Sequence, residues 1–146
     1  FNLVKSRMAW NGQYGYNTKQ KLNTAYQNKS GSVAEINLML IAMLRYAGLT
    51  ANPVVLSTRG NGHLTFISRE GLNYVIAGVE SQSGIKYLDA TSKNAVPGIL
   101  PIRALNATGR IIRENLSSEE VNLMPVTSSK GNTTVVAKVA ANGNVT

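Results

Sequence analysis

The spacing of apolar positions changes sharply at one point along this chain. Up to Gly48 it follows a helical period, and beyond Gly48 it follows that of short strands. In residues 17–29 (NTKQKLNTAYQNK), Leu22, Ala25 and Tyr26 recur at intervals of three and four behind Asn17 or Thr18 as candidate caps. That predicts an amphipathic helix. In the next segment Val33, Ile36, Leu40, Met43, Leu44 and Ala47 form one broad apolar face, widened by Met39 and Ile41. This helix is expected to be buried on most sides. Ser32 followed three residues later by Glu35 is a capping-box signature, and it explains why the helix starts there. Gly48 is a natural stop and Pro53 forbids continuation. Residues 53–59 (PVVLSTR), 63–68 (HLTFIS), 73–80 (NYVIAGVE) and 84–90 (GIKYLDA) then read as strands, separated by turn residues at 60–62, 70–71 and 81–84. Short turns predict an antiparallel meander.

The flanks are less regular. Residues 1–16 read as irregular structure or a short helix and loop, with Trp10, Tyr14 and Tyr16 grouped around Asn11-Gly12. Residues 95–112 predict an ordered loop with one helical turn, then a strand. Residues 117–126 are ambiguous, and 127–134 read as a linker. A strand then leads to an Asn142-Gly143 turn, which predicts a hairpin whose second arm lies beyond Thr146. The layout is α+β, with a central buried helix packed on an antiparallel β-sheet. The expected division is a first domain over 1–126, then a linker and the first strand of a second, β-rich domain over 127–146. A start at Phe1 suggests a piece of a longer chain.

Composition narrows the chemistry. The net charge of +8 raises nucleic acid as a partner, but the basic residues are scattered singly from Lys5 to Lys138. They read as a solvated surface, and no nucleic acid is expected. The longest apolar run, 36–44, is far short of the roughly 20 residues of a membrane span. There is no cysteine, and His63, Asp89 and Trp10 are each the only residue of their kind. From that inventory neither a metal cluster nor a cofactor site is expected. The segment RGNGHL (59–64) lacks the Lys-Ser/Thr of a P-loop and reads as a turn.

Four segments in order, GSVAEINLMLIAMLRYAGLTANPVVLSTR, LNYVIAGVE, YLDAT and LPIRALNATGRII, resemble the bacterial transglutaminase-like domains. The likeness spans about residues 10–112 and is nearest to the subgroup found in large envelope proteins of Gram-negative bacteria. It implies a papain/transglutaminase-like fold, a periplasmic or cell-envelope location, and β-sandwich domains as neighbours in the same chain. The terminal strand would then open such a sandwich. In that family a Cys at a helix N-terminus, a His on a strand and an Asp at the end of the next strand perform acyl transfer.

Carried over by position, the Cys seat is Val33, the His seat is Tyr74 and the Asp seat is Asp89. Val33 offers no nucleophile, and a tyrosine is a poor base near neutral pH. The resemblance therefore implies the fold without the usual chemistry: a non-catalytic structural module, or one that binds a peptide or glycan. The alternative is an active acyl-transfer enzyme or hydrolase, using Ser32 with His63 as base and Asp89 as its orienter, or a site completed by a partner domain. Ser32 also has a complete role as a cap, His63 also reads as a surface residue in a turn, and Asp89 also reads as a cap on the turn through Thr91. Trp10, Asn11, Ser32 and Asn73 are the candidate cleft-lining residues, with Trp10 equally readable as a core anchor. A Tyr74 hydroxyl bonded to Asp89 would replace the family's His–Asp contact.

Overall fold

The computed structural model describes residues 1–64, 68–125, 130–138 and 141. The elements are α1 (Asn2–Arg7), β1 (Ala9–Trp10), α2 (Leu22–Gln27), β2 (Ser30–Gly31), α3 (Val33–Tyr46), β3 (Ala51–Leu56), β4 (Tyr74–Ser81), β5 (Gly84–Leu88), β6 (Thr108–Ile112) and β7 (Ser118–Asn122). Short 3₁₀ turns lie at Arg59–Asn61 and Ile102–Ala104. The fold is α+β: five antiparallel strands in the order β5-β4-β3-β6-β7, with α3 packed on β3 and β4 and with α1 and α2 packed on α3.

Burial in the sheet follows strand position. The central strands β3 and β4 carry near-continuous apolar runs and are buried along most of their length. Both of their faces are covered, which is why their sequences do not alternate. In β5 and β6 exposed or half-buried positions alternate with more buried ones, the pattern of strands with one face toward water. The chain does not run as a simple meander. β3, β4 and β5 are consecutive neighbours, but the chain then returns to add β6 and β7 beyond β3.

The helix α3 begins where its capping box predicts. The Ser32 hydroxyl accepts from the Glu35 amide, and the Glu35 carboxylate accepts from the Ser32 amide. It ends in a Schellman arrangement: the Leu49 amide donates to the Leu44 carbonyl and the Gly48 amide to the Arg45 carbonyl, with Gly48 at φ +81°. Only its N-terminal half is buried all round. Val33–Asn37 and Met39–Ile41 are buried, whereas Ala42 and Ala47 are exposed and Tyr46 is 96% exposed. The short α1 and α2 supply Val4 and Ala25, and the residue after α1 supplies Met8, to one apolar cluster with Ile36 and Leu40, so the cover over α3 is limited.

Several expected elements differ. The helix over 17–29 shrinks to Leu22–Gln27, because neither Asn17 nor Thr18 caps it. The Lys19 amide instead donates to Glu35 Oε1 at 2.7 Å, tying the preceding segment to the start of α3. The strand over 63–68 is absent at His63, Leu64 and Ser68, and residues 65–67 lie outside the described residues. Polar side chains dominate this connection: Asn61 Nδ2 donates to Ser57 Oγ and the Gly71 carbonyl, and Asn73 Oδ1 accepts from the Thr58 amide. Side-chain bonds of this kind compete with a strand ladder for the backbone. The ambiguous stretch 117–126 contains β7. Residues 135–138 form no strand, with Val135 83% exposed and Val136 78% exposed. A strand without a neighbour leaves its backbone groups unpaired. The Asn142-Gly143 turn lies outside the described residues.

Candidate functional site

Val33, Tyr74 and Asp89, the seats that the resemblance assigns, lie on the first turn of α3, the start of β4 and the turn after β5. A polar residue in the apolar run of α3 aligns them. Asn37 is fully buried, and its Nδ2 donates to the Val75 carbonyl at 2.9 Å and to Asp89 Oδ1 at 3.1 Å. Its Oδ1 accepts from the Ala90 amide at 2.9 Å. One amide therefore fixes α3 to β4 and to the turn that carries Asp89.

Asp89 is 2% exposed and has both of its oxygens engaged. Its Oδ1 accepts from Asn37, from the Thr91 amide at 2.9 Å and from the Thr91 hydroxyl at 2.7 Å. Its Oδ2 accepts from the Tyr74 hydroxyl at 2.8 Å. The expected tyrosine–aspartate contact is present. Arg103, from the 3₁₀ turn at Ile102–Ala104, closes the network from outside. Its Nε donates to the Tyr74 hydroxyl oxygen at 2.8 Å and its Nη2 to the Thr91 hydroxyl oxygen at 2.6 Å. Each hydroxyl has one proton, and both protons are directed at Asp89. The result is an arginine–aspartate pair bridged by two hydroxyls.

The electrostatics follow from that arrangement. Burial, and then the negative charge of Asp89, push the Tyr74 hydroxyl well above the ordinary tyrosine pKa. Burial opposes the charge on Arg103, but the Tyr74 hydroxyl and Asp89 outweigh it and favour the guanidinium. Aromatic rings roof the network. The Arg103 guanidinium lies 4.6 Å from the centroid of the Trp10 ring. Tyr14 meets Trp10 edge-on at 5.4 Å between centroids and lies tilted over Tyr74 at 5.8 Å.

The first position of α3 is closed to solvent. Val33 is fully buried in the core with Val54, Leu56 and Tyr74. Its amide, the first of α3, donates to the Gln13 carbonyl at 3.1 Å, and the Trp10 indole donates to the same carbonyl at 3.0 Å. Backbone pairing of Ala9 with Ser30 and Trp10 with Gly31 holds this loop in place. A side chain at Gly31 would collide with the first turn of α3, since an added Cβ would sit 2.9 Å from Glu35 Cβ. Burial raises the Glu35 pKa, but hydrogen bonds from Ser32 and from the Lys19 and Gln20 backbone lower it further, and the net shift is downward.

The remaining candidates lie elsewhere or are engaged. Ser32 is 2% exposed and takes part in the capping box. His63 is exposed and lines a separate cavity of about 50 Å³ with Ser57, Leu64 and Asn106. Among the described residues no hydrogen bond joins Ser32, His63 and Asp89. The side chain of Asn73, expected to line a cleft, is engaged instead with the Thr58 amide and hydroxyl at 2.8 and 2.9 Å. Asn11 is exposed, and its Oδ1 accepts from the Gln13 amide within the Trp10 loop. Sequence reasoning missed Asn37 and Arg103. Asn37 had a usable signal, a polar residue in an apolar helical run. Arg103 had none. Among the described residues, no three His, Cys, Asp or Glu side chains gather as metal ligands, and no helix is long and apolar enough to cross a membrane. No family model, curated protein or solved structure matches the chain.

Proposed function

We propose that this chain is a transglutaminase-like domain of papain type whose catalytic seats are held by structural side chains. It serves as a structural module, or one that binds a peptide or glycan, within a larger cell-envelope protein. The observation that carries this reading is the Tyr74–Asp89 bond at two of the three seats, beside a fully buried Val33 at the third. A tyrosine whose proton is held by a buried aspartate, with a raised pKa, is a poor general base near neutral pH. The envelope location and the neighbouring β-sandwich domains come with the resemblance alone. The reading through Ser32 has weaker support, because its hydroxyl already accepts the Glu35 amide and no base is bonded to it.

Assays of the purified chain for transglutaminase, amidase and peptidase activity test the proposal. Turnover at the background rate is expected. Turnover that Ser32→Ala abolishes, with the fold intact, would replace the module with a serine enzyme.

A further inference from the structure

The guanidinium of Arg103 has two hydrogen-bonding edges, and only one is used. Nε and Nη2 form the side edge, and they donate to Tyr74 and Thr91. The end edge, made by Nη1 and the second proton of Nη2, has no partner among the described residues. Every buried side-chain nitrogen or oxygen among them has a partner. Nη1 of Arg103 has none among them, and Arg103 is itself only half-buried. No carboxylate of the chain forms a salt bridge with Arg103 among the described residues.

This edge is held rigidly. The side-edge bonds fix the plane of the guanidinium, the Trp10 ring supports its face, and Asn37 anchors Asp89 behind it. Tyr14, 44% exposed, stands beside Trp10. A planar fork with two parallel donors, already oriented, matches a carboxylate in bidentate geometry. Pre-organisation removes the cost of ordering a long side chain on binding. The net charge of +8 favours the approach of an anionic partner.

We propose that the end edge of Arg103, framed by the rings of Trp10 and Tyr14, is a binding site for a peptide carboxylate, either a chain terminus or an acidic side chain. This rests on the reading of the region as a binding surface and names the group it takes.

Trp10 is the only tryptophan, so its fluorescence reports directly on the site. The chain is titrated with N-acetyl-Gly-Ala bearing a free carboxylate, with the same peptide as a C-terminal amide, and with N-acetyl-Gly-Glu-Gly-amide. Saturable binding of at least one carboxylate peptide is expected, about ten-fold or more tighter than the plain amide. Arg103→Lys, which keeps the charge but loses the fork, should weaken that binding by about ten-fold. Comparison of the two carboxylate peptides distinguishes terminus from side chain. Equal binding of acid and amide, or unchanged affinity in Arg103→Lys, overturns the carboxylate assignment while a bound amide keeps the wider binding reading. Absence of binding by all three peptides overturns the site itself. Arg103 also supports Tyr74, so a second variant guards against loss of fold. Tyr14→Ala changes an exposed ring and should weaken acid binding with unchanged circular dichroism. Undiminished binding in that variant removes Tyr14 from the site.

Discussion

Replacing Tyr74 with phenylalanine isolates the contribution of one oxygen atom. The ring is fully buried and stays in place, so the apolar term is nearly unchanged. Among the described residues the lost hydroxyl is the only hydrogen-bond donor to Asp89 Oδ2, since Asn37 and both Thr91 donors address Oδ1. A bond to a charged group contributes about 1.5–3 kcal/mol, and Asp89, at 2% exposure, has little access to a replacement water. Arg103 also loses its acceptor at Nε, but it is only half-buried and can recover solvation. Tyr74→Phe should therefore destabilise the chain by about 2–3 kcal/mol, a fall in Tm on the order of 6–10 °C for a chain of this size. Urea unfolding followed by circular dichroism measures the loss, and an unchanged m-value shows that the surrounding packing is intact. Thr91→Val is the control. It leaves Oδ1 with Asn37 and the Thr91 amide, so it should cost only about 1 kcal/mol. A loss below about 0.5 kcal/mol in Tyr74→Phe would refute the argument that this hydroxyl satisfies a desolvated carboxylate.

The other predictions address the start of α3. Glu35 has its folded pKa lowered from the ordinary 4.5, so its contribution is fully present above that value and is lost as pH falls through the folded pKa. The stability difference between the native chain and Glu35→Gln should accordingly shrink on acidification below about pH 4.5, and a difference that grows there would reverse the sign assigned. Gly31→Ala forces its new Cβ against Glu35 and should cost about 1–3 kcal/mol by urea unfolding, whereas a neutral result would mean that the Trp10 loop yields freely. Val33→Cys places a thiol at the buried first position of α3. In the native state it should react with a disulfide reagent on the order of 100-fold more slowly than in denaturant, and rapid native labelling would place an open cleft where Val33 now packs.

How far the sequence disclosed this molecule depended on how local each signal was. The limits of α3 were legible because the Ser32/Glu35 cap and Gly48 act within one turn of the helix ends. Strands β3, β4 and β5 were legible because apolar β-formers are interrupted by turn residues. The run from His63 was misread because its β-like composition outweighed the asparagines around it, which bind backbone groups across the loop. The parallel pairing of β1 with β2 involves two residues on each side, too few to leave a periodicity. The Tyr74–Asp89 contact was foreseen only through the resemblance, because 15 residues separate the partners. Arg103 reaches Tyr74 across 29 positions from a turn with no distinguishing pattern, so only tertiary closure could reveal it.

The same network explains why the region suits attraction better than proton transfer. A catalytic triad needs an acceptor nitrogen facing a nucleophile and a carboxylate behind it to orient the ring. Here the carboxylate sits behind, but both hydroxyls in front of it direct their protons inward to Asp89. Their oxygens are then covered by Arg103, which is a donor only. Asp89 balances the charge of Arg103 through this bridge and, after the Tyr74 hydroxyl, favours the guanidinium against its partial burial. The charged group at this surface is therefore a cation backed by a buried anion, and the one carboxylate among Val33, Tyr74 and Asp89 is buried and hydrogen-bonded rather than open to a substrate. A thiol at Val33 would not by itself make a triad of this corner. Tyr74 is bonded to Asp89 and covered by Arg103, so freeing that position for a base would require breaking the Tyr74–Asp89 bond and displacing Arg103.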